Sequence, residues 1–174
     1  LQAASVGGHE SVVRLLLNKG ANINVDGGMF GSALQAASVN GHETVVQLLL
    51  DRGAEVEVGG GVFGSALRAA SVCGHESVVG LLLDRGAKLN KQGGKYGSTL
   101  QAACKGGDES VVRLLLDRGA EVNAQGGQYG SALQVASLNS HQMIVQLLLD
   151  RGAEVNAEGG EHGSALQAAS FAGH

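Results

Sequence analysis

Residues 93–99, Gly-Gly-Lys-Tyr-Gly-Ser-Thr, hold the ingredients of a phosphate cradle: glycines, a lysine and a hydroxyl pair ahead of a helical stretch. A Walker-type loop needs its lysine directly after the last glycine, so that backbone N–H groups wrap the phosphates and the amine closes on them. Here Lys95 precedes Tyr96 and Gly97 instead, and the same register elsewhere carries Met29, Val62, Gln128 and Glu161. Lysine is one occupant of a variable slot. The spacing favours a turn over a nucleotide site.

The other candidates for chemistry fare no better. His9, His42, His75, His141 and His174 share one register, with Asp108 in the remaining place. Zinc needs its ligands to converge within roughly 2 Å of one ion, and one imidazole per structural unit does not provide that. The two cysteines, Cys73 and Cys104, lack the short recurrent spacing of a metal site or a disulfide framework. Cys104 stands where other units have serine in a helix, the place of a small buried thiol. Every candidate serine nucleophile recurs at a position suited to capping a helix. The expectation is a chain that is not an enzyme, takes no cofactor and holds no metal.

Composition excludes further classes. Twelve basic residues against 16 acidic ones give a net charge of −4, and the basic residues are scattered. Only Lys88, Lys91, Lys95 and Lys105 make a modest local patch, so nucleic acid is not an expected partner. No long apolar run and no basic-then-apolar leader occur, so no membrane partner is expected. Two unpatterned cysteines suit a reducing, cytoplasmic setting. With 29 glycines, no tryptophan and few aromatic residues, one large globular core is not expected.

What positions these residues is a repeat. Leu1, Leu34, Leu67, Leu100, Leu133 and Leu166 each begin a copy of one text with a period of 33, which occupies residues 1–174 as a single domain ending in a partial unit, 166–174. Ser32, Ser65, Ser98, Ser131 and Ser164 precede an Ala-rich run, and all but Ser65 have Gln three residues later, a capping-box pattern. Arg68 replaces that glutamine, so its unit keeps the serine half alone. The first helix is predicted over Ala33–Val39, its small residues letting a neighbour approach. A second is predicted over His42–Arg52, with Glu43 and Arg52 placed as the helix dipole prefers and Gly53 as a left-handed stop. Val45, Leu48 and Leu49 form an apolar stripe that Val46 and Leu50 widen beyond one face, so the helix must be covered by stacked neighbours. The glycine-rich remainder of each unit projects as a turn. The fold class is all-α, a solenoid of helix-turn-helix layers with projecting loops.

The unit L-x-A-A-x-x-x-G-H-E-x-V-V-x-L-L-L-x-x-G-A-x-V-N, clearest at 34–50 and 119–123, resembles the ankyrin repeat, and the resemblance covers the whole chain. The usual Thr-Pro-Leu-His is replaced by Ser-Ala-Leu-Gln, and the usual turn by Gly-Gly-x-aromatic-Gly. This variant is similar to the arrays in large fungal receptors that join a NACHT-type nucleotide-binding module to an ankyrin region. The resemblance implies that the recurring histidine hydrogen-bonds between layers. It also implies that loop tips and first-helix ends share a concave face where a protein or peptide docks.

Slots that differ between units are where such a face can be specialised. The tips carry Met29, Val62, Lys95, Gln128 and Glu161, and the adjoining ladder carries Phe30, Phe63, Tyr96, Tyr129 and His162. These rings either pack on neighbouring loops or act as anchors for a partner. The first-helix ends are Val39-Asn40, Val72-Cys73, Lys105-Gly106, Leu138-Asn139 and Phe171-Ala172, expected to expose an apolar stripe stepping by about 10 Å, too extended for a small molecule. Arg68 joins these as a candidate contact. Arg14, Gln47, Gly80, Arg113 and Gln146 should point outward on the opposite side, with Gly80 weakening its helix by about 1 kcal/mol. Both ends fall inside a unit, from which head-to-tail self-association is expected. The leading function is partner recognition within a larger receptor. The alternatives are a structural spacer or engineered scaffold without a natural ligand, and a substrate-docking region for an enzyme outside this chain.

Overall fold

Ser32 begins the first full layer, its hydroxyl accepting the Gln35 N–H at 3.2 Å while Gln35 Oε1 accepts the Ser32 N–H at 2.7 Å. That reciprocal cap starts a helix over Ala33–Val39, which stops at Asn40 before Gly41 turns to φ +67°. A second helix runs Glu43–Asp51, with His42 and Arg52 at its caps and Gly53 at φ +87°. The pattern recurs through a computed structural model that describes residues 1–174 and contains eleven helices and no strand.

Two compact units divide the chain, Leu1–Lys88 and Leu89–His174. The first holds α1 (Gln2–Val6), α2 (Glu10–Asn18), α3 (Ala33–Val39), α4 (Glu43–Asp51), α5 (Ala66–Val72) and α6 (Glu76–Asp84). The second holds α7 (Thr99–Gly106), α8 (Glu109–Asp117), α9 (Ala132–Leu138), α10 (Gln142–Asp150) and α11 (Ala165–Ala172). Within each unit, first helices pack on first helices (α1–α3–α5; α7–α9–α11) and second helices on second helices (α2–α4–α6; α8–α10). The first-helix row is the interior. Every residue from Ala33 to Ser38 is buried, because alanine and serine let the flanking helices close in. Val45, Val46, Leu48, Leu49 and Leu50 are all buried, the wide apolar face meeting neighbours on several sides. No helix is long and apolar enough to cross a membrane.

Directional bonds hold layer to layer. His42 Nε2 bonds Val6 O at 2.8 Å and His75 Nε2 bonds Val39 O at 2.9 Å, the inter-layer role that the resemblance implies. Asn24 Oδ1 accepts the Glu55 N–H, Asn90 that of Glu121 and Asn123 that of Glu154. Arg85 pairs with Asp51, and Arg151 with Asp117, each at 2.9 Å across one layer. Asp108 differs from its histidine counterparts: its Oδ1 accepts the Val111 N–H at 3.0 Å and caps α8.

Candidate functional site

The loops between layers are closed on themselves. Gly93 N–H bonds Gly97 O at 3.0 Å, Gly97 N–H bonds Gly94 O at 3.4 Å, and Ser98 N–H bonds Gln101 Oε1 at 2.5 Å. The Gly93, Gly97 and Ser98 N–H groups are thus committed to the turn and the helix cap, and Lys95 stands exposed at the tip. The same closure joins Gly27 to Gly31, Gly126 to Gly130 and Gly159 to Gly163.

Neighbouring tips are joined by backbone bonds: Val62 N–H to Met29 O at 3.0 Å, Gln128 N–H to Lys95 O and Glu161 N–H to Gln128 O at 3.1 Å. The approach is close enough to require glycine. A Cβ at Gly127 would lie 2.6 Å from Gly97 N, and one at Gly61 would lie 2.6 Å from Phe30 C. The loops therefore form a stacked row within each unit.

The capping glutamines complete that row, a role the sequence reading missed. Gln35 is buried, and its Nε2 reaches Gly60 O of the next loop at 3.1 Å. Gln101 likewise donates to Gly126 O at 3.0 Å and to Gly130 O, and Gln134 to Gly159 O at 3.1 Å and to Gly163 O. Each amide caps its own helix with its oxygen and holds the following loop with its nitrogen.

Arg68 corrects an expectation. It is only 4% exposed, so it is not a surface contact. Its Nε donates to Phe63 O at 2.9 Å in the loop ahead of its own helix. Burial pushes the guanidinium below its ordinary value, and the charge of Glu57 pulls it back up. That loop has the reverse closure, Gly64 N–H to Gly60 O at 3.1 Å, with the Arg68 guanidinium packed where a Gly64 Cβ would be.

Among the other candidate residues, Met29, Val62, Lys95, Glu161, Asn40 and Cys73 are exposed, and Gln128 is half-buried with its amide donating to Glu161 Oε2 at 2.9 Å. The ladder residues Phe30, Phe63, Tyr96, Tyr129 and His162 are all half-buried. So are Val39, Val72, Lys105, Leu138 and Asn139, and the expected apolar stripe is therefore only partly exposed. Phe171 alone stands well out, at 76% exposure. Partial desolvation raises the Cys73 thiol above its ordinary range although the residue is exposed, and full enclosure raises Cys104 much further.

Loop and helix end meet on one face in Leu89–His174. The His162 ring stacks on Phe171 with centroids 4.6 Å apart, and Lys105 Nζ lies 5.7 Å over the Tyr129 ring while donating to Asn139 Oδ1 at 2.7 Å. Two rings of the ladder thus have packing neighbours and an outer side still open to solvent. Nowhere do three His, Cys, Asp or Glu side chains gather as a metal would require.

Comparison with known proteins agrees with this architecture. A family model described as ankyrin repeats (3 copies) matches residues 1–60 and 66–159. The crystal structure of the human ASB11 ankyrin repeat domain is similar, with 28% identity and a TM-score of 0.84, over 97% of this chain and 75% of that one. No curated protein matches the chain in sequence. Ankyrin repeats are generally protein–protein interaction modules and typically non-catalytic. With the family model spanning most of its length and the layered helix pairs matching throughout, the chain belongs to the ankyrin-repeat family.

Proposed function

We propose that this array is the partner-reading segment of a larger cytoplasmic signalling or immune-type receptor, docking a protein or peptide on loop tips and first-helix ends. The observation that carries the reading is the junction of loop and helix end, seen at Lys105 with Tyr129 and at His162 with Phe171. There the residues that change between units sit on a backbone row fixed by residues that do not. A rigid row holds its side chains in place before a partner arrives, which reduces the ordering cost of binding. The Tyr rings of the ladder have the composition of contact hot spots, and Met29 and Val62 stand exposed at the neighbouring tips.

The test compares capture by the native chain with capture by a variant carrying alanine at Met29, Val62, Lys95, Gln128 and Glu161, and by one carrying alanine at Arg14, Gln47, Arg113 and Gln146. Loss of a saturable partner in the first variant alone supports the reading. Equal capture by all three rejects it. The layer-to-layer bonds favour a second reading, a stiff spacer, which expects no saturable partner at all.

A further inference from the structure

Four arginines on or capping the second helices have carboxylates beside them: Arg14 with Glu10, Arg85 with Asp51, Arg113 with Glu109 and Arg151 with Asp117. Lys105 is held differently. It is half-buried at the end of α7, and its Nζ donates to the Asn139 amide oxygen at 2.7 Å and lies over the Tyr129 ring. Asn139 is itself fixed, its Nδ2 donating to Val135 O at 2.7 Å, which aims its oxygen at the lysine. Both partners are neutral. Asp108, three residues on in the chain, is turned to the Val111 N–H, and Glu161 in the loop row accepts from Gln128. Lys105 stands in the last turn of its helix, where a cation can answer the helix carbonyls, yet its amine crosses to the next layer instead.

An ammonium has three donors, and the amide uses one while the ring face covers another side. The rest of the charge is positioned but not neutralised, on the same face as the loop row. Equivalent positions carry Val39, Val72, Leu138 and Phe171, so this cation is particular to one layer.

We infer that Lys105 is the specificity-determining residue of this face and that it takes a carboxylate side chain from an acidic peptide segment of the partner. This rests on the recognition reading above. Tyr129 and Asn139 hold the amine where an incoming Asp or Glu completes its hydrogen bonds, and a partly desolvated site makes that pairing stronger than on open surface. An amide side chain in the same place offers an oxygen without the charge and binds less well.

The test selects displayed random peptides on the native 174-residue chain and on the variants Lys105→Met and Lys105→Arg. Methionine suits a register that elsewhere holds valine and leucine, and matching urea midpoints will confirm that each variant folds. Peptides from the native chain are expected to share an Asp or Glu. They should bind Lys105→Met about tenfold more weakly and Lys105→Arg nearly as well, and changing their shared Asp to Asn should matter only when the cation is present. Selected peptides without a shared acid, or with equal affinity for Lys105→Met, overturn the assignment and leave the recognition reading standing. A native chain that selects no peptide overturns both.

Discussion

Replacing Gly127 by alanine separates the two demands made by the stacked loops. The new Cβ would lie 2.6 Å from Gly97 N and 2.8 Å from Tyr96 C, both main-chain atoms. No side-chain rotation relieves that contact, and the two loops are joined by the Gln128 N–H to Lys95 O bond. Such overpacking costs about 1–3 kcal/mol. Gly127 also sits at φ +61°, where an L side chain adds roughly 1–2 kcal/mol. Together the loss is about 2–5 kcal/mol. Gly119 has the backbone demand alone, with φ +89° and nothing within 4 Å of its Cβ position, so alanine there should cost only about 1–2 kcal/mol. Gly80 has neither demand: it lies inside α6 with open space around it, and alanine should stabilise by about 1 kcal/mol. In urea unfolding followed by circular dichroism, a slope near 2 kcal/mol per M turns these into midpoint changes of roughly −1 to −2.5 M, −0.5 to −1 M and +0.5 M. If Gly127→Ala and Gly119→Ala lower the midpoint equally, the close loop approach has no energetic role and the stacking argument fails.

The glutamine bridge is tested by pairing Gln134→Ala, which removes a cap and the hold on the next loop, with Gln167→Ala, which removes an exposed cap only. The expected losses are about 2–4 and 0.5–1 kcal/mol in the same assay, and similar values would refute the bridge. Ser38 Oγ donates to Leu34 O at 2.7 Å, whereas Ser71 Oγ is buried without a hydrogen-bond partner. Ser38→Ala should therefore cost about 1 kcal/mol and Ser71→Ala should be neutral or stabilising, a contrast that thermal unfolding can read. With a thiol reagent, the native chain should react slowly at Cys73 alone, and Cys104 should appear only on unfolding; two native-state thiols would contradict the burial. The Asp51 carboxyl lies below its ordinary value, chiefly through the Gln47 side chain and then through Arg85. A depressed folded pKa stabilises above the unfolded value and loses that contribution as pH falls through the folded one. Gln47→Ala should move the Asp51 titration upward by NMR, and an unchanged titration would assign the shift elsewhere.

Helix boundaries were legible because capping is a local event: Ser32 and Gln35 meet across one turn, so a short string of sequence contains the whole interaction, and Ala33–Val39 emerged with the expected limits. The second use of the same glutamine was not legible. Its nitrogen bonds a residue 25 positions later, and in a periodic sequence a recurring side chain looks alike whether it serves its own unit or the next. The close approach of neighbouring loops was not legible for a related reason. Glycine pairs free the chain for a projecting turn, and the structure also uses them to let two backbones touch, a requirement that depends on a layer absent from the local text.

Departures from the repeat carried more information than the repeat itself, but their direction needed coordinates. Arg68 interrupts the glutamine series and is a candidate partner contact on sequence grounds. Its long stem instead carries the guanidinium inward to Phe63 O, and the one loop closed in the reverse sense is the loop it holds. Lys105 interrupts an apolar series in the same way and stays half-exposed, because Asn139 and Tyr129 hold its amine at the surface. Two basic substitutions therefore have opposite consequences. Arg68 finds a backbone acceptor within its own layer and becomes scaffold, whereas Lys105 meets the neutral Asn139 amide and Tyr129 ring and stays at the surface.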